Sequence, residues 1–204
     1  MIFNIKGQYT LYPAKMNIKV LSVEPSISNI NRIHKAVRSD AISTKNILLF
    51  HNAVYNTSDQ VKLLSESKFY NDEESLIDNI NKTFELVEDP NNRYLVKTIV
   101  MDDLVDYLPK REDGGEFKRA VMKMTLNGME PYAFQRASKL FAKINVSSIY
   151  MYWKFPFDDS TTKSLVKSEI VDNLAKRGYK PFFYEIKLDI DSWQQWPYHV
   201  MWMK

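Results

Sequence analysis

Three histidines, His34, His51 and His199, are the only imidazoles in this chain, and no two stand at the spacing that puts paired ligands on one helix face. A metal centre would need them to converge with carboxylates through the fold, and isolated histidines are more commonly plain surface or core residues. Glu185-Ile186-Lys187 lies in an alternating segment downstream of Asp158 and Asp159. An acidic residue followed by Glu-x-Lys on a strand is how restriction-type nucleases hold a divalent metal and activate water. Asp158, Glu185 and Lys187 are therefore the candidate metal set. A whole helix separates the aspartates from Glu185, however, and Glu-x-Lys on an amphipathic strand is equally a solvated face with a charge pair. The metal reading ranks last. Cysteine is absent, which excludes disulfides, thiolate metal sites and cysteine nucleophiles. The sequence has no Gly-x-Ser-x-Gly elbow, Gly-x-x-x-x-Gly-Lys loop or Gly-x-Gly-x-x-Gly turn. Its five glycines give a phosphate cradle little material. Neither a catalytic residue nor a cofactor is expected.

Aromatic side chains offer a second kind of chemistry. Tyr150, Tyr152, Phe183 and His199 fall opposite the apolar stripes of their segments, near Lys154, Lys180 and Lys187. An open face of that composition would stack single-stranded bases. The competing reading is a face covered by the rest of the chain or by a partner, because interfaces favour Tyr, Trp, Phe and Met. Trp193, Trp196, Trp202, Met201 and Met203 crowd into the last dozen residues and suit a buried or interface role. Covered core or protein interface outranks base stacking.

The elements that must hold these groups follow from periodicity. Residues 1–12 read as a short strand and turn around Gly7, and 16–23 alternate as a strand. Ser26 or Ser28 caps a helix carrying Ile27, Ile30, Ile33 and Val37, and 46–51 form another strand. Thr57 or Ser58 starts a second helix through Val61, Leu64 and Lys68. Asp72 starts a third, with Leu76, Ile77, Ile80, Phe84 and Val87 on one stripe, which Pro90 stops. Strand character returns over 94–101, and Asp102, Asp103 and Asp106 mark one or two helical turns in which carboxylates favour the helix start. Residues 117–126 lean towards a strand, Asn127-Gly128 is a turn, and Glu130-Pro131 opens a helix to Ile144. The last third is a β–α–β–β unit: a strand with Ile149, Met151 and Trp153 on one side, a helix ending at Lys176-Arg177-Gly178, and two alternating strands over 182–190 and 198–203.

The expected class is α+β, with mixed, mostly antiparallel sheets and packed helices. Residues 1–110 form an N-terminal α/β region and 117–204 a C-terminal α+β region, with the seam in the polar loop 110–116; one compact domain is the other arrangement. Net charge is +3, from 28 basic and 25 acidic side chains interleaved along the chain, which permits nucleic-acid binding without indicating it. The start of the chain lacks a signal-peptide pattern, and its apolar runs are far shorter than the ~20 residues that cross a bilayer. A cytoplasmic location without membrane contact is expected.

Residues 130–204, with the turn Leu174-Ala175-Lys176-Arg177-Gly178-Tyr179 before an aromatic final strand Trp196-Pro197-Tyr198-His199-Val200-Met201-Trp202, resemble the C-terminal unit of uncharacterised virion-associated or accessory proteins of large tailed phages. That resemblance implies a non-enzymatic structural or assembly component of a virion, acting through aromatic and Met-rich contacts with a protein partner or a second copy. An early protein that binds nucleic acid or inhibits a host factor is the alternative, and a metal-dependent nuclease comes third.

Overall fold

The computed structural model describes residues 2–3, 7–63, 95–153 and 160–204. Its main feature is an 8-stranded sheet. The strands are β1 (Ile2–Phe3), β2 (Val20–Val23), β3 (Ile47–Phe50), β7 (Arg119–Met124), β8 (Asn145–Tyr152), β9 (Lys180–Phe183), β10 (Ile186–Lys187) and β11 (His199–Met203). They lie in the order β10-β9-β11-β8-β7-β1-β2-β3. Pairing is parallel from β3 through β8, and β11 runs antiparallel to both β8 and β9. A second, 3-stranded sheet combines β4 (Ala53–Val54), β5 (Val61–Leu63) and β6 (Leu95–Ile99).

Helices with mixed sheets make this an α+β protein, as expected, and the closing β–α–β–β unit is present; the sheets are not mostly antiparallel, since β3, β2, β1, β7 and β8 pair in parallel. Crossover helices connect the parallel strands: α1 (Gln8–Lys15) between β1 and β2, and α2 (Ile27–Ser39) between β2 and β3. Such connections put helices against the sheet and bury its strands on both sides, which is why Val20, Leu21, Ser22 and Val23 are all buried. On one face the main core joins Leu21, Met122, Met124, Ile149, Met151, Val200 and Trp202 to Phe134 of α3 (Glu130–Gln135), Leu140 of α4 (Ser138–Lys143) and Ile170 and Leu174 of α5 (Ser160–Lys176). On the other face Val20 packs with Ala14 of α1 and Ile42.

Several expectations need correction. Residues 8–15 are a helix rather than a continued strand and turn. Gly7, at φ 75, caps that helix, and Asn17, at φ 61, turns the chain so that only Val20–Val23 pairs as a strand. Val61–Leu63 is a strand paired antiparallel to β6, not the first turn of a helix; its β-branched Val61 suits a pleated surface better than a helix start. The proposed helices over 64–68 and 72–87 lie outside the described residues. One helix was expected from Glu130 to Ile144, but the chain breaks at Arg136 and Ala137 into α3 and α4. The 110–116 loop is an exposed excursion closed by a bridge between Lys110 and Glu116, and the large sheet draws strands from both sides of it. Among the described residues no helix is long and apolar enough to cross a membrane.

Candidate functional site

From β1 the chain steps through β2 to β3 in one direction; β7 and β8 extend the sheet in the other. The order therefore reverses between β1 and β7. In open sheets of this kind a crevice forms at such a switch point, outside the carboxyl ends of the strands, and ligands bind there. Three features occupy that edge: the start of α1 at Gly7, the residue after β2, and the turn after β7.

The residue after β2 is Glu24, which is 2% exposed. Its backbone N–H continues the ladder by donating to the Phe50 carbonyl, so the side chain is fixed at the strand end. Oε1 accepts the Ser26 backbone N–H at 2.9 Å, while Oε2 is buried and makes no hydrogen bond among the described residues. Burial raises the carboxyl from 4.5 to about 7. The Ser26 amide and the Asn29 side chain pull the other way, although Asn29 does not reach Oε2 with hydrogen-bond geometry. Ser26 caps α2 by accepting the Asn29 N–H, and His51, beyond β3, reaches the Pro25 carbonyl at 3.0 Å.

The turn after β7 is built around Glu130, 1% exposed. One carboxylate oxygen accepts the Leu126 N–H at 2.7 Å and the other the Gly128 N–H at 2.8 Å. These bonds hold Asn127 and Gly128 at φ 53 and 97, a pair of left-handed residues that Asn-Gly accommodates. Burial raises the Glu130 carboxyl; the backbone amides and Lys123 oppose it. Lys123, near the end of β7, has its amine lowered to about 8 by burial. That amine donates to Thr125 and to the Met124 carbonyl, and stands 5.3 Å from the Tyr9 ring at the start of α1. Tyr9 and Lys123 thus join the two walls across β1.

No family model matches the chain. No curated protein matches it either. The likeness is structural. A crystal structure of the methyltransferase FkbM from Methylobacillus flagellatus KT superposes with a TM-score of 0.55 at 11% identity, over 100% of this chain and 43% of that one. The chain thus spans less than half the length of that protein, and what the two share is the fold. This corrects the expectation of a non-enzymatic virion or assembly component: the scaffold is one that a methyltransferase uses.

The residues singled out from sequence scatter away from the crevice. Trp196 and Trp202 are buried, at 8% and 0%, with Trp153 beside them; ring centroids lie 5.1 Å (Trp153–Trp196) and 5.4 Å (Trp196–Trp202) apart. Trp202 has no surface left to offer an interface. Trp193 is half-buried against the same core, and its carbonyl accepts the Trp153 indole N–H. Tyr150 is exposed, and Tyr152 stacks at 5.3 Å from His199 on the same sheet face. Phe183 does not join them. Register pairs Met201 with Phe182, so Phe182 shares that face and Phe183 points to the other. Glu185 is in the hairpin turn between β9 and β10 rather than inside a strand, and both it and Lys187 are exposed. Asp158 lies outside the described residues, and among those described no group of three His, Asp or Glu could hold a metal.

Sequence reasoning passed over Glu24, Lys123 and Glu130. A signal for the first was present. Glu24 directly follows the buried strand β2, 17 residues after Gly7, and comes shortly before a capped helix, which is close to where dinucleotide-binding units carry their ribose-binding acid.

Proposed function

We propose that the crevice at the carboxyl ends of β1, β2 and β7 binds the adenosyl portion of a methyl donor such as S-adenosylmethionine, and that the chain serves methyl transfer. The buried, unpartnered Oε2 of Glu24 carries this reading. A carboxylate held in that position accepts hydrogen bonds from vicinal ribose hydroxyls, and a ligand that supplies them satisfies a group otherwise costly to leave unmade. The donor would supply an electrophilic methyl group on a sulfonium. The chain's own part is to hold the nucleoside at Glu24 and to shape the adjoining wall through Glu130 and the 125–129 turn. The fit has one departure from dinucleotide-binding turns: the sequence between β1 and α1 carries a single glycine, Gly7. This reading replaces the expectation of no cofactor.

Calorimetric titration of the protein with S-adenosylmethionine and with adenosine tests it. Both are expected to bind, and Glu24→Gln to weaken binding by tenfold or more, about 1.4 kcal/mol. Hydroxyl donors prefer the ionised acceptor, so affinity is expected to rise with pH up to about 7 and then level off. Binding that is absent, or indifferent to both Glu24→Gln and pH, refutes the reading.

A further inference from the structure

Helices cover the two faces of the large sheet unequally. α3, α4 and α5 close one face from β7 to β9. On the opposite face α1 and α2 pack over β2, and among the described residues no helix covers the strands from β7 to β9: Tyr150 is 44% exposed at their centre. Sheets with parallel strands are normally covered on both sides.

Register defines the surface of the open half. Lys123 pairs with Tyr150, Tyr150 with Met201, Met201 with Phe182 and Phe182 with Lys187, and paired residues share a face. One row therefore runs across five strands with an apolar centre and a lysine at each end. The groove over it measures about 1330 Å³ and includes Tyr9, Ile18 and Val121 along its sides. This is larger than the roughly 300–1,000 Å³ of small-molecule pockets. The four strands β7, β8, β11 and β9 span about 14 Å at ~4.8 Å per step, room for one helix of about 10–12 Å diameter.

Charge narrows the occupant. Lys19, Arg119 and Lys123 line the groove against one carboxylate, Glu185, and Lys180 lies on the same face opposite Met203. None of these cations forms an ion pair among the described residues, where the pairs are Lys15–Asp40, Arg111–Asp113 and Lys143–Glu116. The Lys19 amine donates to Asn46 and the Lys45 carbonyl and the Lys123 amine to Thr125 and the Met124 carbonyl, so Arg119, Lys180 and Lys187 are the exposed cations of the rim. A second copy of this face would oppose one cationic rim to another.

We propose that this open half of the sheet docks an amphipathic, acidic helix of another polypeptide, its apolar stripe on Tyr150, Met201 and Phe182 and its carboxylates on the surrounding lysines. The occupant covers a sheet face that no helix covers among the described residues. This face is separate from Glu24, and the inference does not rest on the reading of the crevice.

The probe is a synthetic helical peptide of about 18 residues, five turns, with a leucine stripe flanked by glutamates, and its counterpart with every glutamate replaced by lysine. Fluorescence anisotropy is expected to show the acidic peptide binding at least tenfold more tightly than the basic one. Its affinity is expected to fall as salt is raised. Tyr150→Glu, at an exposed position, is expected to cost tenfold or more while leaving the melting temperature unchanged, and Met201→Ala is expected to weaken binding in the same direction. Equal binding of the two peptides, no binding, or binding indifferent to Tyr150→Glu overturns the proposal. So does concentration-dependent dimerisation abolished by Tyr150→Glu, which assigns the face to a second copy. Binding to anionic lipid vesicles in place of the acidic peptide also overturns it.

Discussion

Glu24→Gln is the substitution with the most to reveal, because its effects on stability and on binding have opposite signs. The Glu24 carboxyl titrates near 7 in the folded protein against 4.5 when unfolded. Below 4.5 both states are protonated, and the group adds nothing to the pH dependence. Between 4.5 and 7 the unfolded chain releases its proton first, so stability falls as pH rises; above 7 the loss is complete and constant. At 1.36 kcal/mol for each pH unit between the two values, the loss is about 3 kcal/mol. Glutamine keeps the Oε1 that accepts the Ser26 N–H and removes the ionisation. Urea denaturation of the ligand-free proteins at pH 4 and pH 8 measures the effect. The two proteins are expected to match at pH 4, and Glu24→Gln to be the more stable by about 3 kcal/mol at pH 8, which for a chain of this size is roughly 6–12 °C in melting temperature. Lys123 titrates in both proteins and cancels in the difference. A stability difference that is the same at both pH values would refute the reasoning, since it would mean that the carboxylate is already paired or solvated.

The same change at Glu130 is expected to act in reverse: Glu130→Gln loses one of two acceptors for the Leu126 and Gly128 amides and costs about 1–3 kcal/mol in urea denaturation. Gly7→Ala and Gly178→Ala form a pair, both with positive φ, of 75 and 84. A methyl at Gly7 would sit 2.4 Å from Ile33 Cγ1 whereas none of the structure lies within 4 Å at Gly178, so Gly178→Ala is expected to cost about 1 kcal/mol and Gly7→Ala about 2–4, with Ile33→Val in the Gly7→Ala background recovering part of the difference. Trp202→Ala is expected to cost about 3–5 kcal/mol and to red-shift the emission of the remaining tryptophans, whereas Tyr150→Ala stays within about 0.5 kcal/mol of the wild type.

Local patterning made the C-terminal half legible and left the topology hidden. Ile149, Met151 and Trp153 alternate with Tyr150 and Tyr152, and their burial follows that alternation. The turn at Gly178, where the Tyr179 N–H returns to the Leu174 carbonyl, is written in Leu-x-x-x-Gly-Tyr. Strand order is not local. The insertion of β1 between β2 and β7 depends on pairings across more than a hundred residues, between Ile2 and Lys123, and two-residue β1 gives no periodicity to read. Helix α1 was missed because Pro13 lies inside it, a residue that argues against a helix interior. In the sequence Glu130 reads only as a helix start, and Glu24 draws no reading at all. Only burial separates them from Asp102, which does accept a helix-terminal N–H, that of Leu140.

Those two glutamates are the only charged residues buried among the described ones, and each follows the carboxyl end of a strand next to β1. The amino ends of β7 and β8 instead begin with exposed Arg119 and Asn145. A buried carboxyl is expensive wherever it sits, so two at one edge, beside consecutive left-handed residues at 127 and 128, concentrate the fold's local costs there. The two are not equivalent. Glu130 has a partner for each oxygen, and its burial is explained by the turn it holds. Glu24 Oε1 accepts the Ser26 N–H, while Oε2 makes no hydrogen bond among the described residues. Replacing Glu24 is therefore expected to stabilise the ligand-free fold by about 3 kcal/mol, and the proposed ligand offsets that cost by bringing hydrogen-bond donors to Oε2 in the crevice.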